Sequence, residues 1–414
     1  MKGQATKSIA ISEEMVAEAY KKVKANQGSA GIDGQDWEQF DSKLSQNLYK
    51  IWNRLSSGSY FPPAVKAVSI PKKDGGKRIL GIPTIGDRIA QQVIKSYLEP
   101  RLEAQFSEHS YGYRPLRSAH QALEAVQSNV RQSAWIVDID IKGFFDNMPH
   151  DLLLKALDRH VEEKWVKMYI IRWLEAPLVE SQGDSMQKRE KGTPQGGVIS
   201  PLLSNLFLHY GLDKWLGKNY PKLNFVRYAD DIVIHCNSET EAKEVLEAVK
   251  VRLCACGLTV NEGKTKIVHC RDYRRKKEED YPVKFDFLGF SFQPRPAQSN
   301  RGGMFLVYGC AISKTAEQSI LKMLRATRLH KQSNIPIEQI AAMLNPKIRG
   351  WINYYGKFRR YELDRVFHQL HFRLMKWVKN RYKIYSIAKA YKWLKRLREQ
   401  SPKLFYHWSV GFRI

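Results

Sequence analysis

The run Phe225-Val226-Arg227-Tyr228-Ala229-Asp230-Asp231-Ile232-Val233-Ile234-His235 sets two adjacent carboxylates between two apolar stretches. Apolar stretches of that length read as short buried strands, and the polar break reads as a tight turn with the acids at its tip. Adjacent aspartates alone are common in solvated turns. A second run narrows the choice. Trp135-Ile136-Val137-Asp138-Ile139-Asp140-Ile141 alternates like a strand, so Asp138 and Asp140 share one face of it. A strand ending in acids and a hairpin tipped with acids can converge on hard cations. Magnesium takes oxygen ligands, keeps several waters, and is shared between carboxylates and substrate phosphates. Manganese suits the same donors, so the residue types do not separate the two ions.

A chain of 414 residues holds two or three domains with real cores. Hydrophobic content of 43% and charged content of 27% are those of a globular protein. No apolar run reaches membrane-spanning length, and Met1–Ile11 lacks the apolar core of a signal peptide. A cytoplasmic protein with no membrane partner is expected. Cys236, Cys254, Cys256, Cys270 and Cys310 are odd in number and scattered, so they read as free thiols and not as a disulfide framework or zinc pair. Net charge is +26, and Arg301–Ile414, with 24 Lys and Arg against 5 Asp and Glu, carries +19 of it. Trp351, Trp377, Trp393 and Trp408 are interleaved in that block, and the combination reads as the footprint of a polyanion partner.

Periodicity places the remaining elements. Met15, Val16, Ala19 and Val23 predict a helix, and Trp37, Phe40, Leu44, Leu48, Ile51 and Leu55 predict a second, continuous one. Between them runs a Gly-rich loop, Asn26–Gly34. Val65–Ile70 alternates as a strand ending at Pro71. The following tip, Lys72-Lys73-Asp74-Gly75-Gly76-Lys77-Arg78, is either a solvated basic turn or a grip on phosphates. Asp87 is expected to cap a helix that Pro100 disturbs, and Ser200-Pro201 to cap a helix over Leu202–Trp215. Gln293–Gly303, rich in Pro, Gly, Ser and Arg, reads as a linker. Beyond it the pattern is helical, with stretches near 314–329, 337–344, 348–358, 361–377 and 384–398.

Tyr228-Ala229-Asp230-Asp231 resembles the catalytic box of reverse transcriptases. Asp140-Ile141-Lys142-Gly143-Phe144-Phe145-Asp146 resembles their first catalytic box, and Gly192–Pro201 the loop-and-helix box between the two. Further boxes match at Ser110–Pro115, Leu258–Lys266 and Phe287–Phe292, and Asn345–Tyr355 is similar to the maturase signature. Order and spacing agree from about Asn26 to the C-terminus. The resemblance is to the reverse transcriptase/maturase encoded by bacterial group II introns.

That resemblance implies an α+β, right-hand polymerase fold, with fingers and palm followed by an all-helical thumb. The implied divisions are an N-terminal extension with a template-contacting loop (1–60), fingers and palm (61–292), linker (293–303), thumb or maturase domain (304–398) and basic tail (399–414). It implies RNA-directed DNA synthesis, with binding of the intron RNA and help in its splicing and mobility. Two magnesium ions would be held by Asp140, Asp230, Asp231 and the backbone carbonyl of Ile141, with Asp138 as support. The nucleotide would meet Lys72, Arg78, Arg114, Phe145, Gln195, Gly196 and Lys264. Phe145 would lie under the sugar and exclude a 2′-hydroxyl by shape. Arg114 has a structural reading beside the functional one, and Lys264 is either a proton donor to pyrophosphate or a surface lysine. RNA would meet Asn26, Gly28 and Gly31 in the loop, and Lys347, Arg349, Trp351, Lys376, Lys379, Lys392, Lys395 and Arg396 in the basic block. Implied partners are intron RNA, an RNA template with DNA primer, dNTPs and a DNA target; a homodimer is left open. The tail Pro402–Trp408 resembles that of members without an endonuclease, so no DNA-cleaving module is expected. Two alternatives remain: an RNA-binding maturase with an idle polymerase, and a domesticated defence or CRISPR-associated reverse transcriptase.

Overall fold

Asp87 illustrates how burial, not local propensity, builds the first part of the chain. In the computed structural model, which describes residues 9–71, 76–180, 189–275, 278, 280–299 and 301–413, the helix Ile85–Glu103 is capped by Thr84, whose Oγ1 accepts from the Asp87 amide at 3.2 Å. Asp87 is therefore inside the helix and not its cap. Its buried carboxylate accepts from Tyr60 Oη (2.9 Å), Trp173 Nε1 (2.8 Å) and Gln91 Nε2 (3.0 Å). Pro100 does not stop this helix. Leu98 and Leu102 are buried on either side of it and hold the turn that lacks one amide.

Two compact units follow from the chain's own contacts, Met1–Ser118 with Val137–Lys266 and Ala119–Ile136 with Ile267–Ile414. The chain is α+β. Its strands are β1 (Val65–Pro71), β2 (Lys77–Ile82), β3 (Trp135–Asp140), β4 (Leu178–Val179), β5 (Asn224–Tyr228), β6 (Asp231–Cys236), β7 (Lys266–His269), β8 (Phe285–Phe287), β9 (Phe290–Gln298) and β10 (Met304–Ile312). The unit boundary falls within β3 and again at β7.

In the first unit β1 pairs antiparallel with β2 and parallel with β4. The central sheet has the order β5-β6-β3-β7. The helix expected over Trp37–Leu55 is two, Trp37–Asp41 and Leu44–Ser56. The break comes where the Asn47 side chain takes the Phe40 carbonyl at 2.9 Å. The helix after the Gly192–Gly197 loop starts at Ser200 behind Ile199, so Ser200 is not its cap. It widens into a π-helical turn at His209–Asp213 before Lys214–Asn219.

The second unit opens on the sheet β10-β9-β8. The stretch read as a linker is mostly strand, because β9 runs to Gln298 and pairs with β10 from Phe290↔Ile312 to Gln298↔Met304. Pro294 and Pro296 are tolerated because β8 covers β9 only as far as Phe292. Past that point the outer edge has, among the described residues, no ladder for a missing N–H to break. Helices Lys314–Ala326, Ile337–Tyr355, Asp364–Tyr382 and Ile387–Gln400 then gather one core, including Leu324, Leu344, Ile348, Leu374, Leu394 and Phe405. Ile337–Tyr355 is one helix with Pro346 inside it, not two, since buried Leu344 and Ile348 anchor both flanks. Trp377 and Trp408 lie in this core, with Trp351 and Trp393 packed against it. Trp377 and Trp408 are thus packing residues, whereas Trp351 and Trp393 are half-buried at the margin of the core. Among the described residues no helix is long and apolar enough to cross a membrane.

Burial pushes the Asp87 carboxyl up from its ordinary 3.8 to about 6. Between those values the folded chain holds a proton that the unfolded chain has released, so this group's contribution to stability falls as pH rises through about 6. Asp87→Asn cannot titrate. Relative to wild type it should be more destabilised near pH 4.5 than near pH 7.5, by about 2 kcal/mol. Denaturant unfolding at the two pH values measures the difference.

Candidate active site

Asp140 ends β3, and the β5–β6 turn brings Asp230 and Asp231 beside it, because β6 neighbours β3 in the sheet. Asn261 fixes Asp140, its Nδ2 donating to Oδ2 at 2.9 Å and its backbone N–H to the Asp140 carbonyl at 2.8 Å. The Asp140 amide donates to Thr265 Oγ1 at 3.3 Å. Lys264 Nζ lies 4.0 Å from Asp140 Oδ2, and Lys266 Nζ lies 3.8 Å from Asp138 Oδ2. Asp138 is thus ion-paired along the strand. Ile141 opposes Val260 in a bridge flanked by Asn261 N–H to Asp140 O and Lys142 N–H to Thr259 O, both 2.8 Å. In such a non-hydrogen-bonded pair the Ile141 carbonyl is turned away from the partner strand.

The turn itself is strained. Tyr228 pairs with Asp231, and Ala229 between them has φ +56°, a left-handed conformation that costs a residue bearing Cβ about 1 kcal/mol or more. What holds it is buried. Arg227, fully buried in β5, donates from Nη1 to the Ala229 carbonyl at 3.1 Å and to Asn205 Oδ1 at 3.0 Å. Its Nε and Nη2 reach the two oxygens of Asp213 at 2.7 and 2.6 Å. Asp213 is delivered by the π-helical turn, and π-bulges in other proteins also concentrate at functional sites. Asn205 Nδ2 in turn donates to the Gly112 carbonyl at 2.7 Å. A Cβ on Gly112 would stand 2.4 Å from the Ala229 amide, so glycine is required for that loop to lie on the turn.

No side chain among the described residues donates to Asp230 or Asp231. Both carboxyls are pushed up, Asp230 by desolvation in its recess and then by the charge of Asp140. Asp231, open to solvent on one edge, is raised by desolvation and then by Asp230 and Asp140, to about 6. Arg78 and Lys264 act in the opposite direction on Asp231. Hard oxygen donors that repel one another, two of them with no side-chain donor among the described residues, suit a divalent cation, whose charge relieves that repulsion. Among the described residues no three His, Cys, Asp or Glu side chains are grouped so as to hold a metal ion by themselves. Magnesium bound through one or two carboxylates plus phosphates and water needs none.

The other expected residues are placed as follows. Lys72 lies outside the described residues. Arg78 is exposed on β2, and its charge reaches Asp230 and Asp231. Phe145 is half-buried in the short helix Phe144–Asn147, its carbonyl accepting from the Thr193 amide at 2.7 Å. Gln195 Nε2 reaches Asp146 Oδ2 at 3.3 Å, and the Gln195 carbonyl accepts from the Gly81 amide at 2.8 Å. A Cβ on Gly196 would stand 2.5 Å from the Gly81 carbonyl, so this loop lies directly on β2. Arg114 is buried and committed to the Glu103 carboxylate (2.7 and 2.9 Å) and to the Ser110 carbonyl (2.7 Å), which is the structural reading of that residue.

In the Gly-rich loop Asn26 and Gly28 are exposed, while Gly31 is buried against Thr84. Arg88 ties the loop down by donating to the Gln27 carbonyl at 3.1 Å and to the Ser29 carbonyl. In the second unit Lys347, Arg349, Lys376, Lys392, Lys395 and Arg396 are exposed and Lys379 is half-exposed, whereas Trp351 packs against the core.

Arg227, Asp213, Asn205, Asn261, Gly112 and Tyr113 were not foreseen as part of the site. Tyr113, at φ +56°, sets its ring 6.2 Å from that of Tyr228. Arg227 did leave a signal, a cation in the middle of an apolar strand.

A family profile described as reverse transcriptase (RNA-dependent DNA polymerase) matches residues 70–292. Another, described as group II intron, maturase-specific domain, matches residues 317–397. Protein YkfC of Escherichia coli (strain K12) is 30% identical over 299 residues, 63% of this chain and 78% of that protein. The group II intron-encoded protein LtrA of Lactococcus lactis subsp. cremoris is 36% identical over 199 residues, 48% of this chain and 33% of LtrA. The chain thus spans most of the first relative and about a third of the second. A solved apo telomerase from Candida tropicalis, truncated from its C-terminal domain, aligns with a TM-score of 0.46 and 15% identity over 56% of this chain and 53% of that one.

Removing one partner of a buried ion pair strands the other, at about 3–5 kcal/mol, whereas replacing both by apolar groups costs far less. Asp213→Leu alone should lose stability on that scale, and Asp213→Leu with Arg227→Met much less. Chemical denaturation of the full double-mutant cycle tests this, and additive losses would show that the two residues are not coupled.

Proposed function

Because the chain belongs to the reverse transcriptase family and carries a group II intron maturase-specific domain, we propose that it is an RNA-directed DNA polymerase of a group II intron that also binds the intron RNA and assists its splicing and mobility. Polymerases of this family generally use divalent metal ions. The observation that carries the reading is the set Asp140, Asp230 and Asp231. These are mutually repelling carboxylates at the meeting of β3 and the β5–β6 turn, with Arg78 and Lys264 as the opposing charges.

Asp140, Asp230 and the Ile141 carbonyl would hold two magnesium ions, with Asp231 assisting. Bound there, the ions would lower the pKa of a primer 3′-hydroxyl and neutralise charge on the leaving pyrophosphate. Arg78, and Lys72 from the same hairpin, would bind the β and γ phosphates. Lys264, tethered near Asp140, is placed to meet negative charge as it develops. The Gln195–Gly196 loop, fixed on β2, would present its backbone to the nucleotide. Phe145 would close the floor beneath the sugar. Chemistry of this type is positioning plus electrostatics, which is what a pre-set site supplies.

The exposed Lys392, Lys395 and Arg396 on one helix, with Lys376 and Arg349, support contact with intron RNA phosphates. RNA template with DNA primer, dNTPs and a DNA target complete the proposed partners, and a cytoplasmic setting belongs to the same proposal. The exposed basic helix equally favours the second reading, a maturase whose polymerase is idle.

Primer extension on an RNA template with dNTPs and magnesium separates the two. Wild type should extend and Asp230→Ala should not, while Asp230→Ala retains splicing support. Extension by Asp230→Ala overturns the carboxylate assignment, and no extension by wild type with RNA binding intact moves the assignment to the maturase alone. Phe145→Ala should relax rejection of ribonucleotides by roughly 10–200-fold, the range of shape discrimination in apolar pockets. Competing rNTP and dNTP incorporation measures it, and unchanged selectivity removes Phe145 from that role.

A further inference from the structure

We propose that the second unit carries a binding cleft for an unpaired polynucleotide strand, formed along β10 by residues that take no part in the carboxylate site. The cleft encloses about 600 Å³, within the roughly 300–1,000 Å³ of ligand sites in general. Its floor is the edge of β10, where Gly309 leaves room. A Cβ there would already stand 3.8 Å from Gln127 Oε1 and 4.0 Å from Arg359 Nε. Gln127 occupies the strand's hydrogen-bonding groups, donating to the Tyr308 carbonyl at 3.1 Å and accepting from the Cys310 amide at 3.2 Å. Recognition in this cleft therefore falls to side chains.

Those side chains are cations and rings. Arg131, Arg274, Lys357 and Arg359 line the cleft with Tyr273 and Phe358, and Asp272 is the sole acid among the described lining residues. Asp272 is already bound to Arg274 at 2.7 Å and lies 3.9 Å from Arg275. Glu124 takes Lys357 at 2.9 Å. Among the described residues no carboxylate pairs with Arg131 or Arg359. Arg359 is held at φ +46°, a left-handed conformation, with Nη1 donating to Tyr361 Oη at 2.6 Å and to the Pro296 carbonyl at 3.3 Å.

Tyr273 is 65% exposed, yet its backbone is fixed by an N–H to the Leu306 carbonyl at 2.9 Å. Its ring is braced edge-on by Phe305, centroids 5.6 Å apart, and the Arg274 guanidinium lies 5.5 Å from its centroid. A braced, solvent-facing ring in a groove that also holds two cations without a carboxylate partner among the described residues, Arg131 and Arg359, is what an unpaired strand uses. Phosphates take the cations and a base face takes the ring. A duplex keeps its base faces stacked inside, and an acidic peptide would engage the cations but leave the ring idle. The net charge of +26 favours any polyanion in general; Tyr273 selects the unpaired one. The inference holds whether or not the chain makes DNA.

The test is photocrosslinking of the full-length protein to 5-iodouracil-substituted oligo(U) and oligo(dT) of about 12 nucleotides, a length one such groove covers. Magnesium is omitted, and the crosslinked peptides are mapped by mass spectrometry. Wild type should crosslink at Tyr273 or Phe358. Arg131→Gln with Arg359→Gln should cut that yield about tenfold, Tyr273→Leu should remove it at Tyr273, and Tyr273→Trp should keep it, all at unchanged melting temperature. Equal yields from both oligomers assign any unpaired strand, and oligo(U) alone assigns RNA. Bound oligomer with no crosslink at Tyr273 or Phe358, or equal crosslinking when the strand is first annealed into duplex, overturns the proposal. None of these readouts needs DNA synthesis, so failure here leaves the polymerase assignment standing, and the reverse holds too.

Discussion

Asp140, Asp230 and Asp231 repel one another, and the chain around them is arranged to hold them together regardless. A turn bearing two acids would open if its backbone were free. Here its Ala229 carbonyl is gripped by Arg227, and Arg227 is itself immobilised by both oxygens of Asp213. A guanidinium buried without a counter-charge would cost several kcal/mol, so the pair is obligatory once Arg227 is inside. On the other strand Asn261 and Thr265 fix Asp140 through one oxygen and its amide. The result is a site whose charges are pre-positioned by neutral amides and by one buried ion pair beneath it.

A second chain of contacts carries that rigidity outward. Gln91 donates to Asp87 and accepts from the Ile199 amide at 3.2 Å, which joins the helix Ile85–Glu103 to the start of the helix at Ser200. The loop before Ser200 is the one that carries Gln195 and Gly196, and it rests on Gly81 of β2. A buried acid far from the turn in sequence thereby sets where the loop that carries Gln195 and Gly196 ends.

Much of this was legible beforehand, and the boundary between what was and was not is physical. The strand periods at Trp135–Ile141 and Phe225–His235 located β3, β5 and β6, because a period of two survives any tertiary context that buries one face. Single-residue punctuation was less reliable. Pro100 was expected to disturb its helix, and the stretches 337–344 and 348–358 were expected as separate helices on either side of Pro346, but buried leucines and isoleucines on both sides outweigh one missing amide. Trp377 and Trp408 were read with the charges around them, although their rings face the core. Arg114 and Arg227 show the deepest limit. Whether an arginine meets a ligand, a carboxylate or a backbone carbonyl depends on partners distant in sequence, such as Asp213, which no local pattern reveals.

Pro294 and Pro296 gave the impression of a connector, and their place on the outer edge of β9 has a consequence for the chain in crowded solution. Past Phe292 no strand among the described residues lies beside that edge, and an open edge invites a foreign strand to add to the sheet. Proline offers no N–H to such an intruder, and the carbonyl of Pro296 is already held by Arg359. The composition that mimics a flexible linker therefore withholds hydrogen-bond donors from an exposed edge. It lets a basic, strand-bearing protein present an unpaired edge without becoming a seed for aggregation.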